Sequence, residues 1–199
     1  MSDHYFSSDP ASPVRESEID VRAWGESMRL VTATGVFSHG RLDPGTGVLF
    51  RQTEPPDRGQ RFLDLGSGYG VIACGLALAR PSARVWAVDV NERALDLTRR
   101  NAERLGVGDR IEAAAPDAVP ADIRFDGIWS NPPIRIGKAA LHELLLRWLP
   151  RMAPDGAATM VVGKNLGADS LQRWLREQGY GCDRLGSAKG FRVLRVSPR

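Results

Sequence analysis

The chain has 199 residues, 42% of them hydrophobic and 26% charged, which suits one globular domain with a full core and excludes two. A net charge of +3 permits a polyanionic partner without demonstrating one, and the longest apolar run, 71–79, is too short to cross a bilayer. No signal peptide opens the chain, and Cys74 and Cys182 lack metal-like spacing, so a cytoplasmic, metal-free protein with buried thiols and no membrane partner is expected.

Residues 1–18 are polar, with Pro10, Pro13 and several serines, and are expected to form a mobile tail ahead of one domain over 19–199. Ile19, Val21 and Ala23 alternate up to a turn at Gly25, and Met28, Leu30 and Thr32 follow, which predicts a β-hairpin over 19–34. Such a hairpin either packs beside the main domain or steers a substrate. The core, 35–199, opens with a loop that leads into a helix at Asp43-Pro44, a natural N-cap and first helical residue. The N–H groups of Gly45, Thr46 and Gly47 would then form an anion site, or the helix start is simply capped.

Residues 61–65 read as a buried strand that breaks into Gly66-Ser67-Gly68-Tyr69-Gly70 and an apolar helix over 71–79. Glycines here let the backbone approach a ligand closely. A dinucleotide fingerprint would need its third glycine at 71, which is Val71. A second strand over 84–89 ends on Asp89, placed to accept ribose hydroxyls. The combination fits an adenosine whose tail is not a pyrophosphate, although a glycine loop alone is also a tight turn. Asp64, the G-x-G-x-G loop and Asp89 together resemble class I S-adenosylmethionine-dependent methyltransferases.

A helix over 91–105, with Ala94, Leu95, Thr98, Ala102 and Leu105 on its apolar face, stops at Gly106. A third strand over 110–114 leads to Asp117, which either meets an adenine amino group or is a solvated turn acid. A fourth strand over 125–130 runs into Asn131-Pro132-Pro133-Ile134. The helix after it carries Leu141, Leu144, Leu145 and Trp148 on one stripe. Glu143 and Arg147 form an expected i, i+4 pair, and His142 reads as a surface or supporting residue rather than a catalyst. A fifth strand over 157–162, the loop Gly163-Lys164-Asn165-Leu166-Gly167, and a helix bearing Leu171, Trp174 and Leu175 follow. Two strands, 180–185 and 191–196, close the chain around a turn over 186–190. The alternation predicts an α/β fold: a Rossmann-like, seven-stranded, mostly parallel sheet with helices on both faces, a C-terminal antiparallel hairpin and the small N-terminal β-hairpin.

Asn131-Pro132-Pro133 is either turn punctuation or a site for an amine. The exocyclic amine of guanine is a poor nucleophile because its lone pair is delocalised. The Asn131 side-chain oxygen and the Pro132 carbonyl can each take one amine N–H, which favours a pyramidal nitrogen and stabilises positive charge as it develops. Proline suits this turn because its φ is fixed and it carries no competing N–H.

From about residue 37 to 196 the chain resembles the small-domain methyltransferases related to bacterial small-subunit ribosomal RNA guanine-N2 methyltransferases. The matching pieces are Val36-Phe37-Ser38, Arg41-Leu42-Asp43-Pro44-Gly45-Thr46, the glycine loop, Asp89-Val90-Asn91-Glu92, Asn131-Pro132-Pro133, Gly137-Lys138, Lys164-Asn165-Leu166-Gly167 and Lys189-Gly190-Phe191-Arg192-Val193-Leu194. The resemblance implies S-adenosyl-L-methionine as cofactor, held by Thr46, Asp64, Gly66, Ser67, Gly68, Tyr69, Gly70, Asp89, Val90, Asp117 and Asn131. It implies amine binding at Asn131, Pro132, Pro133 and Ile134, and ribosomal RNA or the small ribosomal subunit as partner. Longer family members carry a second, degenerate domain ahead of this one, and the position after Pro-Pro is often aromatic where this chain has Ile134.

Only three of the 27 basic residues are lysines. Lys138, Lys164 and Lys189 all fall in loops after strands, on the rim where α/β sheets bind ligands, with Arg135 beside them. Singly these are ordinary surface residues; on one rim they read as contacts to RNA phosphates. Two other functions fit the motifs: protein glutamine amide methylation, and a cofactor-binding assembly factor without catalysis.

Overall fold

The computed structural model of the chain describes residues 14–133 and 136–198. Of the expected tail, residues 1–13 lie outside the described residues, as do Ile134 and Arg135. The N-terminal hairpin joins β1 (Glu16–Ala23) to β2 (Glu26–Ala33), paired antiparallel through the two-residue turn Trp24-Gly25, both at positive φ. Such a turn matches the right-handed twist of the strands it connects. Val21, Ala23, Met28, Leu30 and Thr32 are all buried, so the alternating face packs on the domain.

The core follows as α1 (Pro44–Gln52), β3 (Arg61–Leu65), α2 (Val71–Ala79), β4 (Arg84–Val88), α3 (Glu92–Arg104), β5 (Ile111–Ala114) and β6 (Phe125–Ser130). Then come α4 (Lys138–Trp148), β7 (Met152–Gly163), α5 (Ala168–Glu177), β8 (Gly181–Ala188) and β9 (Phe191–Ser197). One seven-stranded sheet has the order β5-β4-β3-β6-β7-β9-β8; it is parallel from β5 to β7, and β9 enters antiparallel between β7 and β8. The chain reverses its direction of sheet growth after β5, returning to β6 beside β3. That reversal opens a crevice above the carboxyl ends of β3, β4 and β6, where open α/β sheets bind ligands.

Side-chain alternation divides the core between the two faces of the sheet. Phe62, Val85, Ala87, Trp129, Val161 and Val193 pack with the hairpin, α1, α2 and α3. Leu63, Leu65, Val88, Ile128, Met160 and Val162 pack with α4 and α5. With about 0.8 kcal/mol gained per buried CH₂, burial on both faces explains why these strands are almost continuously apolar. Trp24 fastens the hairpin at its turn: its ring meets Phe50 and Trp129 edge-on with centroids 5.0 Å away, and Nε1 donates to the Thr53 carbonyl at 3.0 Å.

Several local expectations need correction. Strand β1 takes in 16–18 of the expected tail, and β7 begins at Met152 rather than at 157. The last turn is Lys189-Gly190 alone, because Gly186 and Ser187 stay in β8 after an irregularity at Leu185. Arg147 reaches from α4 to Asp117 at 2.7 Å and to the Pro116 carbonyl at 2.9 Å rather than pairing with Glu143, since a backbone carbonyl and a carboxylate converge there. Among the described residues no helix is long and apolar enough to cross a membrane, and no metal-holding cluster of His, Cys, Asp or Glu occurs. Cys74 and Cys182 are both buried and unpaired.

Candidate functional site

Each wall of the crevice comes from the end of an element. β3 stops at Leu65, and the next three glycines all have positive φ: 76° at Gly66, 55° at Gly68 and 82° at Gly70. In that region any other residue is strained, which is why the turn needs glycine. The Val88 carbonyl at the end of β4 accepts the N–H groups of Gly66 and Ser67 at 2.8 and 3.0 Å, and Thr98 of α3 donates its hydroxyl to the Gly68 carbonyl at 3.1 Å. At Gly70 an added Cβ would lie 2.8 Å from Thr98 Cγ2, whereas at Gly68 it would meet nothing within 4 Å. Gly70 is demanded by packing, and Gly68, which lines the cavity, leaves a backbone edge for a ligand to approach.

Asp89 joins the loop to the end of β4. One carboxylate oxygen accepts the Gly68 N–H at 2.9 Å and the other the Asn91 N–H at 3.0 Å. Burial pushes its carboxyl upward despite these amides. An ionised carboxylate has about four acceptor positions, so Asp89 keeps capacity for hydroxyl donors. Asp64, wholly buried one residue before the end of β3, caps the first turn of α2 by accepting the Ala73 N–H at 2.9 Å. Its other oxygen has no partner, and burial, with the Asp89 charge as a smaller influence, pushes the carboxyl up to about 8. The hydroxyls of Ser67 and Tyr69 are also buried without partners.

The opposite wall begins where β6 ends. Ser130 donates its hydroxyl to the Leu65 carbonyl at 2.7 Å, which locks this end of β6 to the start of the glycine loop. Pro133 lies over Gly66, where an added Cβ would be 3.7 Å from the proline Cδ. Asn131 turns its amide nitrogen toward α1, donating to Asp43 Oδ1 at 2.7 Å and to Thr46 Oγ1 at 3.0 Å. Gly66, Gly68, Asp89, Val90, Asn131, Pro132 and Pro133 all line one cavity of about 220 Å³, together with Asp43, Phe37, Leu166 and Phe191.

Not every expected residue faces that cavity: Asp64, Ser67, Tyr69 and Gly70 are buried and do not line it. Of the amides expected to be free at the start of α1, those of Thr46 and Gly47 are taken by the Asp43 carboxylate and carbonyl, at 3.0 and 2.9 Å. Asp43 therefore acts as a cap, and Thr46 is buried against Asn131. Asp117 stands 94% exposed on its pair with Arg147, while Pro116 lines the cavity in its stead. Ile134 and Arg135 fall outside the described residues. His142 stacks on Trp174 with centroids 3.6 Å apart. Lys138, Lys164 and Lys189 are exposed, and the Lys164 N–H donates to the Gly190 carbonyl at 2.7 Å, so two of the three share one short stretch of rim. Phe37, Asp43, Leu166 and Phe191, which stood within the matching stretches with no individual role at the cavity assigned, also line it.

The methyltransferase small domain family matches residues 27–195. YbxB of Bacillus subtilis, described as an uncharacterized protein, is 29% identical over 98% of both chains. Ribosomal RNA small subunit methyltransferase C of Hahella chejuensis is 37% identical over 71% of this chain and 42% of its own length. The solved 16S rRNA N2 methyltransferase of T. thermophilus, in complex with AdoMet and guanosine, superposes with a TM-score of 0.79 at 25% identity, over 96% of this chain and 52% of that one. The chain thus spans about half the length of the ribosomal RNA methyltransferases it matches, and nearly all of YbxB. With its matched residues covering the glycine loop, Asp89 and Asn131-Pro132-Pro133 alike, the chain belongs to the methyltransferase small domain family of S-adenosylmethionine-dependent enzymes.

Proposed function

We propose that the chain transfers a methyl group from S-adenosylmethionine to the exocyclic N2 amine of a guanine in small-subunit ribosomal RNA. The observation that carries this is the Asn131 carboxamide in one cavity with Gly66, Gly68 and Asp89, its nitrogen held by Asp43 and Thr46 so that its oxygen is left as an acceptor. The residues present fit the cofactor. Gly68 offers bare backbone and Asp89 retains acceptor positions for ribose hydroxyls, while Asp64, buried and outside the cavity lining, keeps an unpartnered oxygen whose ionised form would favour an ammonium nearby. When bound, S-adenosylmethionine supplies an electrophilic methyl on a sulfonium.

The chain's own residues prepare the amine. Asn131 Oδ1 and the Pro132 carbonyl each accept one N–H of the guanine amine, so the nitrogen becomes pyramidal and its lone pair is released from conjugation with the ring. Asn131 is held before substrate arrives, by Asp43 and Thr46, and acceptors at this position stabilise charge as it develops on nitrogen, the kind of preorganisation whose removal costs about 10²–10³ in turnover. Phe37, Leu166 and Phe191 line the apolar side of the cavity, where a base can lie out of water. Lys138, Lys164 and Lys189 would meet RNA phosphates outside it.

The test is labelled methyl transfer from S-adenosylmethionine to ribosomal RNA and to small subunits lacking modification, followed by nucleoside mass spectrometry. N2-methylguanosine supports the proposal, with Asn131→Ala reducing kcat about 10²-fold at nearly unchanged cofactor Kd. Label that is released by protease rather than nuclease overturns the RNA substrate in favour of a protein amide, and a wild-type protein that binds cofactor yet labels neither overturns the enzyme.

A further inference from the structure

We propose that Asp43 is a positioning residue for Asn131, fixing which atom of the carboxamide the cavity receives. This rests on the proposed amine-binding role of Asn131. An amide side chain offers an oxygen on one side and an NH₂ on the other, and rotation by half a turn exchanges them. At this site the choice decides between accepting from an amine and repelling it.

Asp43 Oδ1 receives two donors, the Thr46 N–H at 3.0 Å and the Asn131 NH₂ at 2.7 Å. Thr46 Oγ1 receives the Asn131 NH₂ as well, at 3.0 Å. An ionised carboxylate has lone pairs and no hydrogen, so only the NH₂ of Asn131 can face it. Rotating the amide would set an oxygen against the carboxylate, trading a charge-assisted hydrogen bond for repulsion. Both amide hydrogens are thereby spent on the start of α1 and its cap, and the side-chain atom Asn131 can offer a ligand is its acceptor oxygen. Asp43 and Asn131 lie 88 residues apart in the chain, so one carboxylate caps α1 and orients the end of β6 together.

The glycine at 45 belongs to the same device. A Cβ there would lie 2.9 Å from Asp43 Oδ1 and 2.9 Å from Phe191 Cε1. A side chain at 45 would crowd the Asp43 carboxylate and Phe191 alike without removing any hydrogen-bonding group.

Two variants separate positioning from capping. Asp43→Ser keeps a good cap, since serine reaches the first-turn N–H groups, but it is too short to hold Asn131. Asp43→Asn keeps an oxygen that can accept from both. The first readout is NMR of the Asn131 side-chain NH₂ in cofactor-free protein. Its signals are expected to be hydrogen-bonded and slow to exchange in wild type, to exchange at least about tenfold faster in Asp43→Ser, and to recover in Asp43→Asn. The second is kinetic: Asp43→Ser should lower kcat about 10²-fold, a loss expected of a displaced group, with cofactor Kd and Tm little changed, and Asp43→Asn should regain at least about tenfold of it. Asn131 signals indifferent to Asp43→Ser overturn the assignment, as does a kcat loss that tracks Kd and Tm equally in both variants. If wild type methylates no RNA, the proposed function fails while the NMR readout still decides the role of Asp43.

Discussion

Asn101 serves as a one-residue strand for Val31: its side-chain oxygen accepts the Val31 N–H at 2.7 Å and its nitrogen returns a hydrogen to the Val31 carbonyl at 2.9 Å. The same nitrogen also donates to the Tyr69 carbonyl at 2.9 Å. One fully buried amide on α3 therefore joins the free edge of the N-terminal hairpin to the glycine loop. Asn101→Leu fills a similar volume but strands three buried backbone groups. Stability should fall by about 2–4 kcal/mol in urea unfolding, with an unchanged slope against denaturant. A loss below about 1 kcal/mol would show that the hairpin is held by its apolar face alone.

Asp64 makes the cofactor-free protein sensitive to pH. Its folded carboxyl, raised to about 8 mainly by burial, holds a proton that the unfolded chain has already lost above its ordinary range near 3.8. The folded state thus binds more protons between those values, and the stability Asp64 contributes is complete below the unfolded value and declines as pH rises toward 8. Asp64→Asn does not titrate, so it should match wild type at low pH and exceed it by about 1–3 kcal/mol at pH 8. In the opposite sense, affinity of wild type for S-adenosylmethionine should rise over the same interval, because the ionised form attracts the ammonium, and the variant should lose that rise. Parallel pH curves for the two proteins would remove Asp64 from this role.

Gly68 and Gly70 should separate binding from folding. Gly70→Ala drives a methyl into Thr98 at a left-handed position, costing about 2–4 kcal/mol, and trimming the neighbour in a Gly70→Ala, Thr98→Ala double variant should recover part of it. Gly68→Ala meets only open cavity, so strain of about 1 kcal/mol should accompany a far larger loss of cofactor affinity. Calorimetry of unfolding and of cofactor binding on the two single variants distinguishes these outcomes.

Neutralising Lys138, Lys164 and Lys189 together should weaken RNA binding and reduce the slope of log K against log salt by about 2, since each phosphate contact on a single strand contributes about 0.7. Cofactor binding should be unaffected, as none of the three lines the main cavity. An unchanged salt slope would leave these lysines as ordinary surface.

Much of this molecule was decided by rules that act within a few residues. Alternation buried the inner face of the hairpin, apolar runs became parallel strands, and Asp43-Pro44 started α1 because capping and fixed φ are local. The glycine loop and Asp89 were legible for the same reason, since positive φ and a strand-end acid need no distant partner to be recognised. Pairings between distant segments were not. Asp117 turned to Arg147 because α4 crosses the loop after β5, and the amides of Thr46 and Gly47 were absorbed by the cap. Asn131 received its orientation from a carboxylate far earlier in the chain. Residue type and spacing set the repertoire of each side chain, but which hydrogen bond it makes depends on what folding brings within 3 Å, and that is a property of the packed sheet.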